Sequence, residues 1–154
     1  MSAVKSMEIV SISGREILNE LQRLLPEIGF ILENGNRKYN QDERLAAKIT
    51  SLLKDLKLDV CEDIINLYTQ LINLQQHLGH TVWRISKPIT IQVTSGPGYL
   101  IPISVISGNP SLTPGGQQKA GWYIYIPVVA DLSPELDCIF VWPKKHEVSA
   151  EQKS

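Results

Sequence analysis

The feature that most constrains the fold is an apolar stripe of helical period, which recurs three times within residues 13–79. In each stripe the apolar residues alternate between steps of four and three, so they stay on one side of an α-helix. The stripes are Ile17, Leu21, Leu24, Ile28 and Ile31; Leu45, Ile49, Leu52 and Leu56; and Val60, Ile64, Leu67, Leu71, Leu74 and Leu78. Short connections between them predict three antiparallel helices packed as a coiled-coil-like bundle.

Each stripe follows a pair of residues that is typical of a helix N-terminus. The pairs are Ser13 with Glu16, Asn40 with Glu43, and Asp59 with Glu62. In a capping box the first side chain accepts a bond from a free amide and the glutamate reaches back. We interpret Pro26 as a kink, Asn34-Gly35-Asn36 as the break after the first helix, and Gly79 as the C-cap of the third.

From Thr81 onward the apolar period changes to two, which is typical of β-strands. We expect strands at residues 81–85, 87–94, 99–107, 122–130 and 138–142. The second and third of these are predicted to form a hairpin around Ser95-Gly96-Pro97-Gly98. Pro102 and Pro127 cannot donate to a ladder, so their strands should lie at sheet edges or carry bulges.

The sequence therefore predicts an α+β fold with two parts. An N-terminal three-helix antiparallel coiled-coil-like bundle spans residues 13–79, and a small antiparallel sheet of about five strands spans residues 81–143. The Gly- and Pro-rich segment 108–121 is expected to be disordered or solvated, with a functional loop as the alternative. The polar tail 144–154 is expected to be flexible.

Composition and charge restrict the classes of partner. The formal net charge is −1, which supplies no long-range field for nucleic acid or anionic lipid. Lys144-Lys145-His146 lies beside Trp142, but so small a cluster is better explained as a solvated tail than as a nucleic-acid site. No apolar run approaches the ~20 residues of a membrane span. The two cysteines, a poor signal sequence and no CxxC spacing favour a cytoplasmic protein.

Three groups of residues resemble catalytic or metal sites, and none is convincing. His77 and His80 have ligand spacing, but Gly79 should end the helix between them. Cys138 combines on paper with His146 and either Asp131 or Asp137, yet its setting in CIFVW predicts a buried, inert thiol. Cys61 at a helix start is opposed by the neighbouring acids Glu62 and Asp63. We expect no catalytic residue, metal or cofactor.

Tyrosines give the best candidate for a binding surface. Tyr123 and Tyr125 share one face of a predicted strand, and Tyr99 approaches them if its strand is adjacent. With Trp122 they offer large contact area with polar tips, which suits a protein interface. The alternative is that helices cover this face and the rings belong to the core.

We therefore expect a non-catalytic protein–protein interaction or assembly module, whose partner is another protein or a second copy. Self-association is expected through the helical half. The alternative is a small enzyme or ligand-binding domain with a site at the helix–sheet junction, near His77, His80, Trp83 and Cys138. A third possibility is a nucleic-acid accessory protein that uses segment 108–121 and Lys144-Lys145.

Overall fold

A computed structural model describes residues 6–58, 78–92, 98–126 and 129–143 of the chain. In these ranges two helices form, α1 (Ile12–Leu24) and α2 (Glu43–Asp55), and a 3₁₀ turn (Leu25–Glu27) follows α1 directly. The strands are β1 (Ser6–Glu8), β2 (Phe30–Glu33), β3 (Asn36–Tyr39), β4 (Leu78–Ile85), β5 (Ile89–Gln92), β6 (Gly98–Val105), β7 (Ser111–Thr113), β8 (Gly116–Gln117), β9 (Trp122–Ile126), β10 (Val129–Leu132) and β11 (Leu136–Pro143).

The strands of these ranges form two antiparallel sheets. A large sheet has seven strands in the order β1-β9-β6-β11-β4-β3-β2, and a small sheet has four in the order β5-β10-β7-β8. β11 lies at the middle of the large sheet, where it pairs with β4 on one side and β6 on the other. Sequential strands are therefore distributed between two sheets instead of forming one meander.

Both faces of the large sheet are buried, each against a different layer. A helix-side core joins α1 and α2 to one face; it includes Leu18, Leu21, Leu45, Ile49, Leu52, Val82, Ile101, Ile139 and Val141. An inter-sheet core joins the small sheet to the other face; it includes Ile85, Leu100, Leu112, Ile124, Ile126, Ala130, Leu132, Leu136 and Cys138. The large sheet is therefore the middle layer of three.

Helix α1 forms where the first apolar stripe predicts a helix, but it is shorter than the stripe. Leu18, Leu21 and Leu24 face the core. Pro26 lacks an amide donor and crowds the preceding turn, so the helix ends in the 3₁₀ turn and the chain then extends into β2. The interpretation of Pro26 as a kink in a continuing helix is wrong.

Helix α2 confirms the second stripe, since Leu45, Ile49 and Leu52 are all buried. The residues that cap the helices are not the predicted ones. Asp42 rather than Asn40 accepts from the first amides of α2. Ser11 rather than Ser13 accepts from the amide of Gly14 in α1.

The predicted α+β fold, a three-helix bundle followed by a small sheet of about five strands, is wrong. Residues assigned to the bundle form strands, and the described structure is mostly β, with antiparallel sheets of seven and four strands. β2 and β3 pair as a hairpin whose two turn residues, Asn34 and Gly35, have φ values of 54° and 86°. Gly79 is not a C-cap; it lies in β4 opposite Trp142, whose indole leaves no room for a Cβ atom. A coiled coil is likewise excluded as the architecture of the described helices, which pack on a sheet.

Several predicted features lie outside the described residues. These are the third helix from Val60 to His77, the turn residues Ser95, Gly96 and Pro97, Cys61, Pro127, and the tail 144–154 with Lys144, Lys145 and His146.

The pairing predicted for the second half of the chain is also wrong. β5 pairs with β10 in the small sheet, whereas β6 lies between β9 and β11 in the large one. The strand predicted at 122–130 is divided, since β9 belongs to the large sheet and β10 to the small sheet. A strand with apolar residues at period two fits equally well into either sheet, because each sheet turns one apolar face toward the other. Strands are needed in both sheets for these two faces to be buried against each other.

Pro102 lies in an interior strand and is accommodated by a bulge, one of the two predicted settings. Asp137 is opposite Ser104 and Cys138 is opposite Pro102, so Ile103 is the extra residue on β6. A bulge interrupts the ladder locally, which removes the need for the amide that proline lacks.

Segment 108–121 is ordered, contrary to the expectation of disorder, although most of its residues are exposed, as the solvated alternative predicts. It contains β7 and β8 of the small sheet. Leu112 is 1% exposed in the inter-sheet core. The backbone N–H of the buried Gln118 donates to the carbonyl of Pro110 at 2.8 Å. One apolar residue and one buried amide therefore anchor a stretch that is otherwise rich in turn residues.

The junction of α1 and α2 predicts an acid-sensitive contribution to stability. The Asp55 carboxylate accepts bonds from Ser11 and Ser13, at 2.6 Å from Ser13 Oγ, and these bonds lower the pKa of Asp55. A lowered native pKa means that this stability is present above the unfolded-state pKa and is lost as pH falls through the native one. We expect Asp55→Asn to lower the free energy of unfolding by about 1 kcal/mol at pH 7.

Urea unfolding of the wild type and of Asp55→Asn at pH 7 and pH 3 checks this. The difference between the two proteins should shrink at pH 3, where the wild-type carboxyl also begins to be protonated. A difference of the same size at both pH values would contradict the assignment.

Candidate functional site

The structure brings the three predicted tyrosines together. β6 and β9 are neighbours with Tyr99 opposite Tyr125, and the Tyr99 ring centroid lies 6.2 Å from that of Tyr123 and 5.5 Å from that of Tyr125. Tyr99 and Tyr123 pack against the helix-side core, and burial raises the pKa of Tyr123. Tyr125 is 38% exposed. The cluster is therefore partly core and partly surface.

Trp122 does not join this cluster. It precedes Tyr123 on β9, so its side chain points to the opposite face of the sheet. Its indole is 37% exposed. The predicted binding surface of Tyr99, Tyr123, Tyr125 and Trp122 is thus split between two faces, and a role for these residues in partner binding stays a prediction.

The residues predicted for an enzymatic site at the helix–sheet junction do not converge. Trp83 and Cys138 belong to the inter-sheet side, where Trp83 packs near Phe140 with ring centroids 6.5 Å apart. His80 lies an odd number of positions from Trp83 on the same strand, so it faces the helices. His77 lies outside the described residues. Alternation along β4 separates residues that are near neighbours in sequence.

Two cavities flank β4. The larger, about 520 Å³, lies between α2 and the sheet and is lined by Lys38, Asp42, Glu43 and His80 among others. The Asp42 carboxylate there is committed to capping α2 and to Arg44. The smaller, about 280 Å³, lies on the inter-sheet side beside Trp83 and Trp142. Neither brings a nucleophile and a base into contact among the described residues.

Two other kinds of site are absent from the described residues, a metal-ligand cluster and a membrane-spanning helix. Across residues 6–58, 78–92, 98–126 and 129–143, no three potential His, Cys, Asp or Glu ligands cluster as a metal site would require. In the same ranges, neither helix has the length and apolar character needed to cross a bilayer.

A buried ion pair anchors β3 to the middle of the large sheet. Asp137 on β11, 3% exposed, accepts bonds of 2.9 Å from both Nε and Nη2 of Arg84 on β4. Tyr39 on β3 donates its hydroxyl to the same carboxylate at 3.2 Å. Burial, together with the nearby Asp137 charge, raises the pKa of Tyr39. Three adjacent strands are thereby tied at one point.

The outer strand of the hairpin is the most unusual surface of the described structure. β2 is the terminal strand of the large sheet, and all four of its residues are exposed. The exposed fractions of Phe30, Ile31 and Leu32 are 41%, 53% and 70%. Phe30 contacts Tyr39 edge-on, and the Arg37 guanidinium lies 4.3 Å above its ring. Large apolar side chains therefore project from both faces of an open edge.

The orientation of the main-chain groups along this edge follows from one bond. The carbonyl of Gly29 accepts from the amide of Asn40 at 2.8 Å, so Gly29 points its polar groups inward toward β3. Because orientation alternates along an antiparallel ladder, Ile31 and Glu33 also point inward. Phe30 and Leu32 then direct their N–H and C=O groups outward, away from β3.

This edge lacks the usual protection against a further strand. Natural sheets cover or blunt their edges with proline, lysine, a bulge or a very short strand. β2 has no proline, lysine or bulge, its one charged residue is Glu33 at the turn end, and the described residues place no strand on its outer side. Within the described residues, the other edge of the large sheet is β1. Of the part of the chain that the structure describes, β2 is therefore an edge with no neighbouring strand on its outer side.

Sequence reasoning missed this surface because Ile28 and Ile31 continue the stepping of the first stripe. The signal that identifies the hairpin is Asn34-Gly35, the dipeptide preferred in two-residue hairpin turns. The break predicted at this dipeptide is present, but it joins two strands instead of two helices.

No family model matches the chain, and no curated protein matches its sequence. Its function is therefore inferred from the geometry and chemistry of its surfaces.

Cys138 is predicted to be unreactive in the native protein. Its thiol is fully buried, and burial raises its pKa well above the ordinary value. Thiolate is the reactive species, so alkylation requires unfolding. We expect iodoacetamide at pH 8 to leave Cys138 unmodified in the folded protein and to label it in urea, measured by peptide mass mapping. Labelling of the folded protein at the denatured rate would contradict this.

Asp137→Ala is predicted to destabilise the protein by about 3 kcal/mol, because it leaves the partly buried Arg84 guanidinium without its counter-charge. Asp131→Ala is the matched control: Asp131 is exposed and accepts one bond from Thr90 at 2.7 Å, so a change within about 0.5 kcal/mol is expected. Urea unfolding measures both. Equal losses in the two variants would contradict the anchoring role of Asp137.

Proposed function

We propose that this chain is a non-catalytic interaction module that binds a partner by adding a β-strand to the edge of β2. The observation that carries the proposal is a strand whose four residues are all exposed, with three large apolar side chains and two residues whose main-chain groups face outward. In strand addition, main-chain hydrogen bonds supply affinity and alternate side chains supply specificity. β2 offers both.

Burial of the apolar side chains of β2 by a partner would contribute favourable free energy to binding. Fully burying a side chain such as Leu, Ile or Phe contributes roughly 1.5–3 kcal/mol. Phe30, Ile31 and Leu32 are already partly covered by β3, so each supplies only a part of that amount. Together with paired main-chain groups, this is enough for a modest but specific association.

The hairpin that presents β2 is held rigidly. Asn36, 1% exposed, accepts bonds from the amides of Ser86 and Lys87 at 2.7 and 2.8 Å. Tyr39 is bonded to Asp137 at the other end of β3. A preformed edge loses little conformational freedom when a strand is added, which favours binding.

We place this module in the cytoplasm. Cys138 is a free, buried thiol, and the chain has no disulfide framework of the kind found in small secreted domains. The partner proposed is a protein; the charge of −1 gives no general attraction for nucleic acid.

A site-specific photo-cross-linker tests the proposal in the native cell. Benzoylphenylalanine replaces Phe30 in one variant and Val105 in the control; Val105 is 43% exposed at the end of β6, away from the β2 edge. We expect a protein adduct from position 30 and none from position 105.

The second arm removes one main-chain donor. Leu32→Pro deletes an outward amide, so the bonds between β2 and β3 remain while a further strand loses a bond. We expect this change to abolish the adduct at position 30, with a change in unfolding free energy within about 1 kcal/mol of the wild type. Adducts that persist in Leu32→Pro, or that are equal at positions 30 and 105, would overturn the proposal.

A further inference from the structure

We infer that the strand added at β2 is β2 of a second copy of this chain, paired antiparallel about a twofold axis at Ile31. This inference rests on strand addition at β2, and it specifies the partner and the register. The large sheets of the two copies would then form one continuous sheet.

The outward main-chain groups of β2 are arranged symmetrically. Phe30 and Leu32 flank Ile31, and each directs one N–H and one C=O away from β3, as the bond between Asn40 and Gly29 requires. An antiparallel copy centred on Ile31 places Phe30 opposite Leu32 of the other molecule, and the reverse. All four groups on each copy are then paired, which gives four hydrogen bonds.

Symmetry limits the other registers. A twofold axis between edge strands is perpendicular to the sheet, so it keeps each side chain on its own face. Residues opposite one another must then share a face. Moving the axis to Leu32 places Phe30 opposite Asn34, whose φ of 54° takes it out of the strand. Moving it to Phe30 leaves Leu32 opposite Ile28, outside β2. Only the axis at Ile31 pairs both outward-facing residues of β2 within the strand.

The side chains are compatible with this register. Phe30 meets Leu32 twice on the helix side, and Ile31 meets Ile31 on the other side, so every direct pair within the apolar part is apolar. Glu33 is opposite Gly29, which has no side chain. No two like charges lie directly opposite, a juxtaposition that would be destabilising. Arg37 is opposite Leu32 on β3, so Leu32 separates it from Phe30 of the second copy, and its guanidinium stays over Phe30 of its own chain.

The size of the contact predicts a weak dimer. Four residues on each copy bury less than the ~1,200 Å² of a standard interface. Contacts of this size belong to transient associations, so we expect a dissociation constant in the micromolar range, roughly 10 μM or above. The dimer should therefore form and dissociate within an accessible concentration range.

Engineered cysteines test the register. In this pairing Ile31 lies opposite Ile31 of the second molecule at a non-hydrogen-bonded position. The two Cα atoms are ~4.5 Å apart, within the range that a disulfide bridges. The Cα atoms of Leu32 in the two molecules are roughly 8 Å apart, beyond that range. We expect Ile31→Cys to give a disulfide-linked dimer under mild oxidation at 50 μM, at least tenfold faster than Leu32→Cys or the wild type. The wild type controls for Cys61 and Cys138.

Sedimentation velocity measures the unmodified equilibrium. The wild type should rise from its monomer mass of 17.2 kDa toward twice that value as concentration increases. Leu32→Ala keeps the outward amide and should weaken dimerisation roughly tenfold. Leu32→Pro removes the amide and should leave a monomer at every concentration.

The outcomes separate this inference from the proposed function. A wild type that stays monomeric, together with photo-adducts at position 30 to another protein, would overturn self-pairing and leave strand addition standing. Faster cross-linking of Leu32→Cys than of Ile31→Cys would overturn the register. A dimer unaffected by Leu32→Pro would overturn self-pairing at this edge, whereas strand addition by another protein is tested by the photo-adducts at position 30.

Discussion

The architecture depends on β11 being buried on both faces. Along this one strand Leu136 and Cys138 face the small sheet, while Ile139 and Val141 face the helices, and all four are at most 2% exposed. A strand of this kind needs apolar cover on two sides. The helices supply one cover and β5, β7 and β10 supply the other, which is why the chain divides its later strands between two sheets. The same burial makes Cys138 an inert thiol.

The charged residue on β11 connects the middle of the sheet to its open edge. Asp137 interrupts the apolar run, and its carboxylate is satisfied by Arg84 and Tyr39, one from each of the next two strands. An isolated buried carboxylate would be costly, so this side chain favours one arrangement of β4 and β3. β2 then follows β3 through a two-residue turn. The position of the exposed edge is therefore determined by a buried ion pair two strands away.

Local features of the fold were predictable from sequence, and long-range pairing was not. The stripe Leu45, Ile49 and Leu52 identified α2, and alternation placed Tyr123 and Tyr125 on one face. The stripe through Ile28 and Ile31 misled, because steps of four and three over so few residues also occur in a turn followed by a strand. Period two shows that a strand has an apolar face but gives no information on which strand it pairs with. The sequence therefore could not predict that β5 and β6 belong to different sheets. The open edge could be found only once Asn34-Gly35 was placed between strands.

The two edges of the large sheet differ in a way that limits assembly. The described part of β1 ends in Glu8, which is exposed and paired with Arg15, so a charged side chain lies on that edge. A twofold contact at β2 uses the same surface on both copies and leaves no second copy of that surface free. Association through β2 therefore closes at two molecules, whereas an apolar edge paired head-to-tail with a different surface would continue into a filament. An exposed apolar edge strand is tolerable in this chain because its own symmetry ends the pairing.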